Sequence, residues 1–178
     1  MCVEIEAKLK VDSLREVESR LKQLGAEFMA EQLQTDYHFE DADGTLTKSD
    51  RCLRLRRQKS GENEKFFLTY KGPKESSNFK KRVEIEIEIE DADLMRKLLE
   101  ALGYKTALSV EKKRCLWKFG ECEVALDELP LLGSFVEIEG HDDEKITSVQ
   151  ESLGLADLQH IPKSYARLTK DELCRRKA

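Results

Sequence analysis

The tetrapeptide Val3-Glu4-Ile5-Glu6 returns as Val83-Glu84-Ile85-Glu86 and again as Val136-Glu137-Ile138-Glu139. Strict alternation of apolar and charged residues is a strand pattern, because successive side chains of an extended chain point to opposite faces. Each copy then passes an acidic or polar starter, enters a helical pattern and stops at a Leu-Gly pair: Leu24-Gly25, Leu102-Gly103 and Leu153-Gly154. Strand, helix and glycine turn are thus written three times. The first two copies predict two related halves, about 1–78 and 79–178, within one domain. The third copy is shorter.

The spacing predicts four helices. The first follows Ser13, which forms a capping-box pattern with Glu16, and carries the stripe Leu14, Val17, Leu21, Leu24. The second starts near Asp91 or Asp93 with the stripe Leu94, Leu98, Leu99, Leu102; the others run over about 142–153 and 164–176. Strand patterns fill 26–39, 51–59, 64–71, 80–90, 105–119, 121–127 and 132–139. With the N-terminal strand they make about eight, mostly antiparallel, two of the turns marked by Gly61-Glu62-Asn63 and Gly120-Glu121. Asp41-Ala42-Asp43-Gly44 lacks most ligands of a calcium loop and reads as a plain turn-rich loop.

Of the 178 residues, 39% are hydrophobic and 38% charged, with a net charge of −5. No apolar run approaches the ~20 residues of a membrane span. Residues 1–30 lack the apolar core of a secretory signal, so a cytoplasmic location is expected. The five cysteines are scattered without a CxxC pair, which suits reduced thiols. A net acidic chain is a poor nucleic-acid binder. His38, His141 and His160 show no paired spacing, so zinc is not expected.

Strand parity sorts the charges. Lys8, Arg54, Arg56, Lys71, Arg82, Lys112 and Arg114 share faces with Glu4, Glu6, Glu84, Glu86, Asp127, Glu137 and Glu139, seven groups of each sign. A sheet with one solvated charged face would show such a pattern. However, like charges recur two residues apart, roughly 6–7 Å along a strand, and need compensating partners. A curved or closed sheet of about eight strands supplies them: its apolar face turns out beneath the helices and its charged face lines a tunnel. Such a lining suits a ligand that is itself of mixed charge. Phosphoryl oxygens take Arg and Lys donors, and Mg²⁺ or Mn²⁺ takes carboxylate oxygens.

These residues resemble a known family. Glu4-Ile5-Glu6-Ala7-Lys8 resembles the ExExK signature of CYTH proteins, the triphosphate tunnel metalloenzymes. Leu53-Arg54-Leu55-Arg56, Thr69-Tyr70-Lys71-Gly72-Pro73, Arg82-Val83-Glu84-Ile85-Glu86, Lys112-Lys113-Arg114, Asp127, Glu137-Ile138-Glu139 and Lys163-Ser164-Tyr165 continue the match in order. The resemblance implies a single CYTH-type domain over 1–178, of the α+β class. Its core is an eight-stranded antiparallel barrel with helices packed outside.

By position, the resemblance implies that Glu4, Glu6, Asp127, Glu137 and Glu139 bind the metal. Lys8, Arg54, Arg56, Lys71, Arg82, Lys112 and Arg114 would cradle the triphosphate, with Lys163 reaching in from the C-terminal segment. Glu84 and Glu86 would be further lumen residues, and Glu6, Lys8, Glu137 and Glu139 would act at the reacting phosphates. Asp36-Tyr37-His38-Phe39 resembles the family's aspartate-aromatic strand, with His38 an unusual choice. The TYKGP and KSY segments tilt the reading toward the CyaB-like class IV adenylyl cyclases. The alternatives are hydrolysis of inorganic, thiamine or nucleoside triphosphates, and a non-catalytic polyphosphate or nucleotide binder. The expected partner is a small-molecule triphosphate, with no nucleic acid and no membrane; a homodimer is left open.

Overall fold

A computed structural model describes residues 2–74 and 79–177, apart from the side chains of Cys2, Val3, Glu4, Lys80 and Lys81. Eight strands follow the alternating segments: β1 (Cys2–Val11), β2 (Glu27–Glu40), β3 (Cys52–Ser60), β4 (Asn63–Lys71), β5 (Lys80–Ile89), β6 (Lys105–Phe119), β7 (Cys122–Leu129) and β8 (Gly133–Gly140). All neighbours are antiparallel and the sheet closes on itself in the order β1-β5-β4-β3-β2-β6-β7-β8. Closure leaves no unpaired edge. The order also has an internal logic. The meanders β2-β3-β4 and β6-β7-β8 form the two walls, and β1 and β5 each cross to pair with the meander of the other half.

The helices are α1 (Leu14–Gln23), α2 (Thr45–Lys48), α3 (Ala92–Ala101), α4 (Asp143–Ser152) and α5 (Tyr165–Arg175). Ser13, Asp91, Asp142 and Ser164 cap the four longer ones by accepting a backbone N–H three residues on. Among the described residues, none of the helices is long and apolar enough to cross a membrane. The short α2 was not expected; it forms after the 41–44 loop because the Glu40 carboxylate accepts from the backbone N–H groups of Leu46 (2.9 Å) and Thr47 (2.8 Å).

Outward-facing residues make the core. Ile5, Ala7 and Leu9 of β1, Val124 and Leu126 of β7, and Val136 and Ile138 of β8 pack beneath α1 and α4 through Val17, Leu21, Ile146 and Val149. A smaller cluster joins Phe39 and Leu55 to Leu99, with Ala92 and Met95 partly buried beside them. That corrects the expected face of α3 in part: Leu99 of the predicted stripe is buried, but Leu94, Leu98 and Leu102 are 65%, 52% and 65% exposed, and Ala92 and Met95 complete the packed face. A third cluster is different in kind. Val110, Leu129 and Phe135 have lumen parity on their strands, and α5 packs over them with Tyr165, Ala166 and Leu168, covering part of one mouth of the barrel.

Candidate functional site

Inside the barrel lies a cavity of about 1090 Å³ whose lining includes Glu6, Lys8, Arg54, Arg56, Lys71, Arg82, Glu84, Glu86, Lys112, Arg114, Glu137 and Glu139. The polar sides of the strands therefore face one another across an enclosed space.

One wall is built on β2–β5. Arg54 and Arg56 flank Leu55, whose outward side chain fixes the strand's orientation beneath α3. Asp36 stands opposite Arg56 in the β2–β3 register and accepts two parallel hydrogen bonds, from Nε at 2.7 Å and Nη2 at 2.8 Å. Burial disfavours charge on Asp36, but Arg56 and Arg54 outweigh it and hold the carboxyl far below its usual range. Arg54 donates from Nη2 to Thr69 Oγ1 (3.0 Å) and Glu86 Oε2 (3.2 Å), and Lys71 pairs with Glu84 at 2.6 Å. Arg82 reaches Asp50 at 3.4 Å. Yet the Nε–H groups of Arg54 and Arg82 are buried with no acceptor among the described residues. A buried charged donor left unpaired is costly, and an anion entering the cavity would relieve it.

The facing wall is organised around Asp127. It has no exposed surface, and it accepts from Arg114 Nε (2.7 Å) and Nη2 (2.6 Å), from Lys112 Nζ (3.0 Å) and from the Tyr165 hydroxyl (2.9 Å). Arg114 also pairs with Glu137, its guanidinium bridging β7 and β8. Lys8 sits between Glu6 (3.2 Å) and Glu137 (3.1 Å) and donates to the backbone carbonyl of Lys163 (3.2 Å). The ammonium groups of Lys8 and Lys112 both lie against the Tyr165 ring, at 4.3 and 4.9 Å from its centroid. Their protonation differs. Burial opposes charge on both, but Glu6 and Glu137 raise Lys8 above the ordinary lysine value, whereas burial and the adjacent Arg114 bring Lys112 down to about 8.

Carboxylates line up across three strands. Glu6 stands opposite Glu139 in the β1–β8 register, and Glu139 opposite Glu123 in the β7–β8 register. Like charges directly opposite are destabilising unless a cation is shared, and such oxygen donors are the chemistry a hard divalent ion requires. Among the described residues, no group of three or more His, Cys, Asp or Glu side chains converges as a metal site. The side chain of Glu4 lies outside the described residues. Asp127 is turned to its three donors and does not line the cavity, so it is placed as an anchor for the basic wall, not beside Glu6 and Glu139. The side chain of Lys163 is half exposed, pairs with Asp171 at 2.9 Å and is among the residues that line the cavity.

Three features escaped the charge pattern. Asp36 was legible only as part of a strand motif; its pairing to Arg56 depends on β2–β3 register. Tyr165 gave no signal beyond the KSY match. Glu123 shares parity with Asp127, which was the signal available for it.

The CYTH domain model matches residues 3–165. The chain belongs to the CYTH domain family. A Methanocaldococcus jannaschii protein provisionally named adenylate cyclase is 34% identical over 175 residues, covering 93% of this chain and 98% of that protein. The Aeromonas hydrophila adenylate cyclase CyaB is 26% identical over 180 residues, 96% of this chain and 90% of that one. Among solved structures, the PH1819 protein of Pyrococcus horikoshii superposes with a TM-score of 0.82 at 30% identity, covering 98% and 99% of the two chains. A Hippeastrum protein described by a dominant triphosphatase activity shares the fold at 17% identity, TM-score 0.70 and 96% coverage of each chain. The CYTH fold thus accounts for the closed barrel, which relatives named for cyclase activity and a structural neighbour described by triphosphatase activity share.

Proposed function

We propose that this CYTH protein is a metal-dependent enzyme that holds a triphosphate in the barrel and works as a class IV adenylyl cyclase, converting ATP to cyclic AMP and pyrophosphate. The observation that carries the reading is the pair of buried guanidinium Nε–H groups, on Arg54 and Arg82, that lack acceptors among the described residues inside a cavity walled by further cations. The cyclase names of the Methanocaldococcus and Aeromonas relatives support the choice of reaction.

Phosphoryl transfer is mainly positioning and charge stabilisation. Arg54, Arg56, Lys71, Arg82, Lys112 and Arg114 would bind phosphoryl oxygens. Asp36 and Asp127 hold the planes of Arg56 and Arg114 before substrate arrives, so little reorganisation accompanies reaction. Lys8, kept charged by Glu6 and Glu137, adds positive potential from the opposite wall. The carboxylates Glu6, Glu137 and Glu139, with Glu4 of the same strand motif, would hold Mg²⁺ or Mn²⁺, which supplies further neutralisation of phosphate charge. The ribose 3′-hydroxyl would form a bond to the α-phosphorus as its proton passes to water in the tunnel, and pyrophosphate would leave with the electrons of the broken P–O bond.

A second reading is a triphosphatase, in which water attacks the terminal phosphate. The same walls serve it. Parallel incubation with ATP, tripolyphosphate and thiamine triphosphate, each with Mg²⁺ and with Mn²⁺, separates them. Cyclic AMP with pyrophosphate is the expected product, orthophosphate would select the hydrolase, and tight binding without turnover would leave a binder.

A further inference from the structure

The two walls of the barrel are covered unequally. The repeat aligns Ile5 and Ala7 of β1 with Ile85 and Ile87 of β5, and the caps Ser13 and Asp91 align α1 with α3. On the helices burial follows the alignment: Val17 and Leu21 correspond to Met95 and Leu99, and all four pack on the barrel. On the strands it does not. Ile5 and Ala7 are 8% and 1% exposed, whereas Ile85 and Ile87 are 48% and 51% exposed.

The difference is one helix. α4 follows β8 and lies on β8, β1 and β7, where Ile146 and Val149 join the cluster that buries Ile5 and Ala7. Its end abuts α1, through Arg20, which donates from Nε to the Ser152 carbonyl at 3.1 Å. The corresponding strands of the other wall are β4, β5 and β3. There β4 passes to β5 with no helix between them among the described residues. The place that α4 fills on one wall is therefore uncovered on the other. The helix edge beside it has changed character to match. Counted from the caps, Glu16 and Arg20 of α1 correspond to Leu94 and Leu98 of α3. With Leu102 these leucines follow at four-residue steps along one flank.

Five half-exposed aliphatic side chains present roughly 400–500 Å² of apolar surface, as much as the largest patch on a typical monomer. It is also about the apolar share of one side of a standard interface, ~800 Å² of which a little over half is apolar. The surface holds both halves of a complementary contact: a bare apolar strand that a helix could cover, and an apolar helix edge with nothing to cover. A two-fold axis joins such a surface to itself, since the same patch then serves on both subunits. We propose that this face is a homodimer interface, in which the leucine edge of α3 from each copy covers Ile85 and Ile87 of the other, as α4 covers β1 within the chain.

The remaining exposed apolar residues form no equivalent surface. Phe28 already packs edge-to-face on Trp117 with ring centroids 5.2 Å apart. Leu33 stands between Lys59 and Lys113, and Lys113 pairs with Glu31 at 3.1 Å.

The test is analytical ultracentrifugation of the full chain across a range of concentrations. Wild type should pass from the monomer mass of 20.5 kDa to twice that value, with a dissociation constant of about 1–10 µM. Leu98→Asp and Ile87→Asp should each weaken association by about a hundredfold or more, because each buries an unpaired carboxylate in the contact. Leu33→Asp should leave it within about twofold. Urea unfolding at about 0.1 µM chain, below that constant, reads the monomer alone. There Leu98 and Ile87 face water, so the Asp variants should keep the wild-type midpoint, and Leu98→Ala should be silent for the same reason. A wild-type protein still at the monomer mass at about 200 µM would overturn the interface, and that measurement needs no variant. So would a dimer that survives both Leu98→Asp and Ile87→Asp, or one lost in Leu33→Asp alone. A mass that grows past two chains with concentration would overturn it as well, because a two-fold contact closes.

Discussion

Glu6 on β1 stands directly opposite Glu139 on β8, two acids on one face of adjacent strands. Glu6 is also paired with Lys8, but Lys8 keeps Glu137 at 3.1 Å as a second partner. Glu6→Ala should therefore leave Lys8 paired and keep the fold, with a cooperative melt near that of wild type. Turnover of ATP should fall at least a hundredfold and should vanish in wild type when a chelator is in excess. Loss of the cooperative melt in Glu6→Ala would make Glu6 a structural partner; full turnover in chelator would remove the metal.

Asp127 gives the opposite expectation. Its substitution by Asn leaves Arg114 and Lys112 buried with one partner fewer and the Tyr165 hydroxyl without a charged acceptor. Removing one member of a buried ion-pair cluster destabilises by about 3–5 kcal/mol. Asp127→Asn should lose stability by that order in urea unfolding, and by the same amount with and without Mg²⁺. A variant with native stability whose Mg²⁺ response alone was lost would return Asp127 to the metal-binding set.

The contrast shows which part of the site the sequence carried. Period-2 alternation placed Lys8, Arg54, Arg56, Lys112 and Glu137 on the lumen face, because parity depends only on the strand itself. Which acid meets which base depends on register between strands. Asp127 and Arg114 are 13 residues apart and meet through the β6–β7 hairpin, so the acid that anchors the basic wall could not be told apart from the other lumen carboxylates. Gln32, Gln34 and Gln58, which also line the cavity, went unnoticed for a simpler reason: a count of charges does not see amides. The helix α2 has four residues, too few to show a period, and its N–H groups find their acceptor on Glu40 outside the helix.

His38 supplies a pH prediction with a defined sign. Burial, helped by Arg54, Arg56 and Lys71 against the opposing charge of Asp36, brings its pKa down from 6.5 to about 4. Above pH 6.5 the ring is neutral folded or unfolded, and it has no effect on stability. Between about 6.5 and 4 the unfolded chain binds a proton that the folded chain refuses, so stability falls with pH, and below about 4 the loss levels off. By pH 5 the loss is on the order of 2 kcal/mol, a shift of several degrees in melting temperature for a chain this size. His160 is shifted the same way by burial and adds to the slope. Asp36 and Asp127 act in the same direction, but only nearer their unfolded values of about 4. His38→Asn should flatten the melting temperature between pH 6.5 and 5, and an unchanged slope would refute the assignment.

Leucines 98 and 99 are adjacent on α3 and should behave as different residue types. Leu99 is 5% exposed and completes the cluster with Phe39 and Leu55, the residue that sets Arg54 and Arg56 toward the lumen. Leu98, at 52% exposed, is outside that cluster. Truncating a buried leucine costs about 2–5 kcal/mol, since transfer energy and a residual cavity add, whereas an exposed one stays within about 0.5 kcal/mol. Leu99→Ala should therefore lower stability by that larger amount and Leu98→Ala by almost nothing, measured by urea denaturation at fixed pH. Because Leu55 lies between the two arginines, Leu99→Ala should also weaken tripolyphosphate binding modestly, about two- to fivefold, through looser β3 packing. Equal costs at the two positions would mean that α3 is rotated relative to the barrel so that Leu98 packs as well as Leu99, as the sequence period alone suggests.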